Sequence, residues 1–344
     1  GLRISDDMDG NPRIQAPVPP GGTFTYEFVV PDAGTFWYHP HVRGHEQIER
    51  GLYGPLVVHE RPEDRPQVDR ERFFVLDDIL IDGDKIARPF AGHMEVMHGR
   101  SGNALLTNGS LDALQETAKV GERERWRLVN TANARTMEVA IDGARFVVYG
   151  NDGGRVEPYS THTLVLPVGQ RFDVEVFYDQ PGEAKLQQLV LVRNDAGNIV
   201  KDAFPVVVVN VEASDAEPTA VEWAAAPVWE DRPIDRDEVI VLDAVEGGEM
   251  GILWRINGEA HAMEPAFEFA KGETVRMEIR NMLGPEHPFH LNGHFFKIDD
   301  EPGVWDTVLI PGETSVNITA YMDNPGEWMM HCHIAEHAEV GMMS

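Results

Sequence analysis

Residues 311–333, PGETSVNITAYMDNPGEWMMHCH, have a second copy at residues 20–41, PGGTFTYEFVVPDAGTFWYHPH. Each copy holds a Pro-Gly turn, an alternating run expected to form a half-buried strand, a second Pro/Gly turn, and an aromatic or methionine-rich run ending in His-x-His. The copies differ by one residue in the middle. A fainter third copy, PVGQR at 167–171 followed by PGE at 181–183, carries no His-x-His. The repeat extends upstream, because GERERWRLVN at 121–130 parallels GETVRMEIRN at 272–281. Strands and tight turns recurring in this way predict an all-β chain of three homologous Greek-key β-sandwiches.

Composition agrees with that class. The 344 residues include 32 glycines and 23 prolines, and no segment reads as a long helix. The formal net charge of −29 argues against nucleic acid and anionic membranes as partners, and favours cationic or neutral ones. No apolar run is long enough to span a bilayer. The single cysteine excludes an internal disulfide framework, so cysteine usage does not reveal the compartment.

The histidines carry the chemistry. Eight of the 14 fall in three clusters: His39 and His41; His287, His290 and His294; His331, His333 and His337. One His-x-His pair on a strand is usually no more than a polar face, but three clusters with the lone cysteine inside one of them point to metal. In a strand, alternate side chains leave opposite faces, so His331 and His333 would point one way and Cys332 the other. One segment could thus serve two metal centres. A thiolate, two imidazoles and a weak axial thioether make a blue-copper site, and Cys332, His337 and Met342 supply three of those ligands. The fourth should be a distant histidine.

These strings, with GLRISDDMDG, PDAGTFWYHPH, LLTNG, NDGG and HPFHLNGH, resemble the multicopper oxidases, in particular the three-domain laccase-like bacterial group. The resemblance covers nearly the whole chain, and HCHIAEHAEVGMM is its most specific part. It implies tandem cupredoxin-like sandwiches with a first-domain remnant over 1–60, a copper-free second domain over 71–211 and a third domain over 238–344. The charged segment 61–70 and the Ala/Pro/Glu/Asp-rich segment of roughly 212–237 would be linkers. His287, Cys332 and His337, with axial Met342, would hold a type 1 copper. His39, His41, His290, His331 and His333 would belong to a trinuclear copper cluster, giving up to four coppers in an intact protein. Because Cys332 is covalently joined to His331 and His333, electrons would pass along the backbone. Phenols, aromatic amines or metal ions would be oxidised one electron at a time, with O2 reduced to water. Family members of this type imply a periplasmic or secreted location.

Three departures from the family pattern matter. Asn292 stands where a cluster histidine is expected. Asn292-Gly293 reads as a type I′ hairpin turn, and the chain loses an imidazole there. His294 has the right parity to compensate but lies two residues along, about 7 Å away. Gly1-Leu2-Arg3 matches the residues directly after a further His-x-His string, and sixty residues are few for a sandwich of about 100, so a partial sequence is expected, holding five of eight cluster ligands. Ala338 replaces an acidic residue associated with proton delivery, which predicts slower oxygen reduction; Asp9 matches a second such residue, and Glu336 and Glu339 are nearby. GHMEVMHG at 92–99 reads as a loop under a satellite core rather than as a methionine-rich copper-binding insertion through His93, Met94, Met97 and His98, while His45, His59, His162 and His261 read as isolated core or surface residues. Two alternatives follow from Asn292: a copper-poor cupredoxin-repeat scaffold that binds other proteins, or a one-electron blue-copper protein with an incomplete cluster. The histidines on both sides of the cysteine argue against that blue-copper protein and against a two-domain nitrite reductase alike.

Overall fold

The computed structural model describes residues 1–88, 92–194, 196–216, 225–226, 229–262 and 264–344, so parts of the expected second linker lie outside the described residues. The described residues are all-β apart from a 3-10 turn at Asp6–Met8 and three short α-helices, α1 (Gly44–Glu49), α2 (His93–His98) and α3 (Ala335–Glu339).

The middle of the chain forms two sheets. The six-stranded one has the order Gly154–Tyr159, Arg145–Asn151, Arg171–Phe177, Arg123–Asn130, Arg70–Ile79, Ala104–Thr107. The five-stranded one is Thr163–Leu166, Met137–Asp142, Gly182–Arg193, Ile199–Glu212, Leu114–Lys119. Arg70–Ile79 runs parallel to Arg123–Asn130, and Leu114–Lys119 parallel to Ile199–Glu212. Parallel neighbours require crossovers rather than hairpins, which is the Greek-key signature in a β-sandwich. The C-terminal part repeats this design. Its five-stranded sheet contains the parallel pair Arg236–Glu246 and Thr274–Asn281, and its three-stranded sheet has the order Thr307–Ile310, His287–Leu291, Met330–Cys332. Alternation places Ile318 and Ala320 of Ser315–Tyr321 in the core, which continues through Trp126, Leu128, Trp254 and Phe289, all fully buried.

Four expectations are corrected. Residues 23–30 form no strand, unlike their copy Ser315–Tyr321, because no strand lies beside them to complete a ladder; Val29 is 85 % exposed. Only Gly34–Tyr38 and Gly54–Val58 pair in the N-terminal segment. Second, the alternating run Arg123–Asn130, whose pattern by itself points to one solvated face, is buried on both faces. Its polar face meets the N-terminal segment, where Arg125 pairs with Glu60 and Arg127 donates to Thr35, and both arginines also pair with Asp173 on the adjacent strand. Third, the GHMEVMHG loop contains α2, held through Val96, which is fully buried. Fourth, Asn292-Gly293 does not close a hairpin. His287–Leu291 and Phe296–Ile298 belong to different sheets, and of the two turn residues only Gly293 has a positive φ, 69°. A side chain at Gly293 would collide with the Trp328 ring, so close approach as well as φ requires glycine there.

Candidate metal centre

The three-stranded C-terminal sheet assembles the first site. Its register sets Phe289 opposite Cys332 and His290 opposite His331, which carries His287 to one face of the sheet beside the cysteine. After Cys332 the chain turns into α3, and this brings His337 back over the sulfur. Cys332 Sγ lies 3.5 Å from His287 Nδ1 and 3.6 Å from His337 Nδ1, and the two Nδ1 atoms are 3.1 Å apart. Among the described residues this is the only group of metal-ligating atoms all within 4.8 Å of one another. Met342 is fully buried, and its backbone bonds to both Cys332 and His337, which keeps it beside them.

The electrostatics suit a bound cation. Burial lowers the basicity of His287, to about 3, and burial together with the neighbouring His287 lowers that of His337. Both imidazoles are therefore neutral, and the Nδ1 atom of each faces Cys332 Sγ, where its lone pair can serve a ligand bond. Burial pushes the Cys332 thiol well up, so a soft cation must displace the proton as it binds. The amide of Ile334 donates to Sγ at 3.4 Å. Trp254 covers the pair, with its ring 4.9 Å from His287 and 4.3 Å from His337, and its indole donates to the Val96 carbonyl at 2.9 Å, fixing α2 over the site. One thiolate and two neutral imidazoles around one point, with a buried methionine next to them in the fold, fit copper.

The opposite face of the same strand holds the second group. Ring centroids lie 5.0 Å apart for His39 and His41 and for His39 and His333, 5.7 Å for His41 and His331, and 5.3 Å for His331 and His333. His290 joins at 5.3 Å from His331 and 5.6 Å from His333. Trp37 stacks against His39 and His333. Backbone carbonyls orient these rings: His290 Nδ1 donates to Asp306 O at 2.8 Å, and His331 Nδ1 to Cys332 O at 2.9 Å. That tautomer leaves each Nε2 as a free acceptor, and His331 Nε2 is buried with no partner. Burial, then mutual repulsion, lowers the basicity of His39, His331 and His333 well below the usual range. Five neutral imidazoles in contact also fit copper.

Asn292 is where the fit weakens. It is buried beside these rings, and its Nδ2 donates to Asp9 Oδ2 at 2.7 Å while Oδ1 has no partner. Asp9, Asn292, His39, His41, His290 and His333 line one cavity of about 530 Å3. Asp9 thus meets the cluster through Asn292. His294 does not compensate: it is buried near Trp328 on a separate cavity and makes no ring contact with the cluster histidines. Ala338 and Glu339 line a further opening of about 210 Å3 to His331 and His333, whereas Glu336 faces away, toward Asn133. His45 is also buried and pairs with Glu339 at 3.0 Å.

Trp254, Arg171 and Asp306 stand outside every histidine motif, so no sequence signal marks them as site residues. Arg171 and Asp306 form a buried ion pair behind His290, with Asp306 oxygens at 2.8 Å from the guanidinium. A buried Arg in an alternating strand resembles any solvated position until its partner is known.

Comparison with known proteins agrees with this geometry. Three family models, each described as multicopper oxidase, match residues 1–63, 72–185 and 234–344. The chain is 29 % identical to the multicopper oxidase MmcO of Mycobacterium tuberculosis over 99 % of its own length and 74 % of that protein's. It is 28 % identical to laccase-1 of Botryotinia fuckeliana, over 97 % of this chain and 68 % of that one. The crystal structure of a multicopper oxidase from Pseudomonas thermotolerans superposes with a TM-score of 0.83 at 30 % identity, covering 100 % of this chain and 83 % of the other. The chain belongs to the multicopper oxidase family, copper-dependent oxidases that pass electrons from a reducing substrate to O2.

Proposed function

We propose that this chain is a laccase-like oxidase in which His287, Cys332 and His337, with axial Met342, hold a type 1 copper. His39, His41, His290, His331 and His333 hold copper of a trinuclear cluster. The observation that carries the reading is the sharing of one strand: Cys332 lies in the thiolate site, and its covalent neighbours His331 and His333 lie in the histidine cluster. When bound, copper supplies one-electron redox chemistry at the first site and O2 reduction at the second. The protein keeps the imidazoles neutral by burial, fixes tautomers in the histidine cluster through backbone carbonyls, and packs Trp254 against His287 and His337. The repeat supports three cupredoxin-like units over 1–60, 71–211 and 238–344. Phenols, aromatic amines or metal ions are the proposed reductants, in keeping with the laccases among the relatives, and the net charge of −29 favours cationic or neutral ones.

Copper analysis together with the visible and paramagnetic spectra of the protein tests this. A blue thiolate band with additional coppers supports the oxidase, and removal of copper by a chelator is expected to abolish both the band and turnover. No bound copper would reject the proposal. A second reading, a one-electron blue-copper protein, is favoured by Asn292 and expects a single copper. Asn292→His is therefore expected to raise the copper content of the cluster while leaving the type 1 spectrum unchanged. Equal copper content in variant and wild type would show that position 292 is not a ligand position.

A further inference from the structure

The segment from Cys332 to His337 must hold two ligands on one metal, yet its local structure is weak. Helix α3 has five residues and no side-chain cap at Ile334. A single turn of helix is not stable by itself, so its orientation has to come from packing. Glu336, the residue before His337, is fully buried. Its Oε1 accepts from Asn133 Nδ2 at 3.2 Å and lies 4.0 Å from Arg100 Nε. Asn133 also accepts the amide of Ala335 at 2.9 Å through its own carbonyl, and its Nδ2 donates to the His45 carbonyl at 2.7 Å. Arg100 is buried too, and its other end pairs with Glu49 of α1.

Resting on the type 1 assignment above, we propose that Glu336 is a positioning residue for His337, anchored by Asn133 and Arg100. Neighbouring side chains on a helix diverge by about 100°. Fixing Glu336 toward Asn133 therefore fixes the rotation of α3 about its axis and aims His337 at Cys332. The anchors come from distant stretches of chain. Arg100 follows α2, whose Val96 carbonyl holds the Trp254 indole against His337. Asn133 bridges α3 to α1, the helix directly after His39 and His41. The same cluster thus secures the loop that carries the type 1 ligand and the helix beside the second site.

The test compares Glu336→Ala and Glu336→Gln with wild type in the copper-loaded protein. The readouts are the thiolate-to-copper band, the paramagnetic copper signal and copper retention against a competing chelator. Glu336→Ala is expected to lose at least about half of the band intensity and to release type 1 copper about 10- to 100-fold more readily. Glu336→Gln keeps the shape and the acceptor for Asn133, and is expected to restore most of both. A wild-type spectrum and chelator midpoint in Glu336→Ala would overturn the proposal, as would equal perturbation by Gln and Ala. Asn133→Leu removes the donor and leaves the helix residue in place. It covers the case in which Glu336→Ala does not fold, and a wild-type band there would likewise overturn the proposal. If wild type itself shows no thiolate band, the type 1 assignment fails, which is a separate result.

Discussion

Cys332→Ser is expected to remove the blue absorption completely, to lower bound copper by one per chain, and to reduce turnover with any reductant by more than about 100-fold. Outer-shell changes cost about 10- to 100-fold in metal affinity or activity, and loss of the only thiolate should exceed that range. Serine matches the volume of cysteine but offers a hard hydroxyl that stays protonated, so the soft ligand that selects copper is gone. The fold should survive. The new hydroxyl can take the Ile334 amide, now bonded to Sγ at 3.4 Å, and can donate to His287 Nδ1 across the present 3.5 Å gap. Those bonds offset a burial cost of about 1–3 kcal/mol for an unpaired hydroxyl. The decisive comparison is cluster copper: the paramagnetic signal from the His331 and His333 face should persist in the variant. Retention of the blue band would mean that the thiolate assignment is wrong.

How far the sequence led can be judged from particular residues. The histidine and cysteine motifs were legible because metal chemistry needs fixed residue types at strand parity, and Cys332 and His333 sit as that parity requires. Strand existence was legible from alternation wherever one face meets the core, as in Ser315–Tyr321. It failed at 23–30, where an alternating run found no neighbour, since pairing depends on residues far away in the chain. It also failed along Arg123–Asn130. The pattern correctly marks two faces, but nothing local tells that Arg125 and Arg127 meet Glu60, Asp173 and Thr35 rather than water. Asn292-Gly293 shows the same limit at a turn: the dipeptide announces a reversal, but whether it joins two strands of one sheet or crosses between sheets is set by Trp328 and the Met329 carbonyl. Long-range partners decide these cases.

Arg171→Met is expected to be the most destabilising of the substitutions considered, at about 3–5 kcal/mol near neutral pH. All five guanidinium hydrogens are used. Nε donates to Thr35 O at 2.8 Å, and the two terminal nitrogens donate to Gly169 O, Asp152 O and both oxygens of Asp306. One side chain thereby ties the N-terminal segment, the middle sheets and the C-terminal sheet together, with its guanidinium 5.5 Å from the centre of the Phe36 ring. Burial works against the Asp306 carboxylate, but the guanidinium outweighs it and holds that group well below the usual range. Burial raises Asp152 and the Arg171 guanidinium opposes that rise, while its two carboxyl oxygens accept the amides of Arg171 and Thr307. The sign of the pH effect follows. A depressed carboxylate stabilises the fold above its unfolded value of 3.8 and loses that contribution as pH falls through the folded value. In Arg171→Met the Asp306 charge is left buried and unpaired, so its protonation becomes favourable in the folded state. The deficit relative to wild type should therefore be largest near pH 7 and shrink toward pH 4, as read by denaturant unfolding at both values. Adding Asp306→Asn removes the orphaned charge and should recover a large part of the loss, whereas additive costs in the double variant would show that the two groups do not act as a pair. Because the Asp306 carbonyl holds His290 Nδ1 at 2.8 Å, the single variant should also lose copper from the histidine cluster before it loses the blue band, which depends on His287, Cys332 and His337.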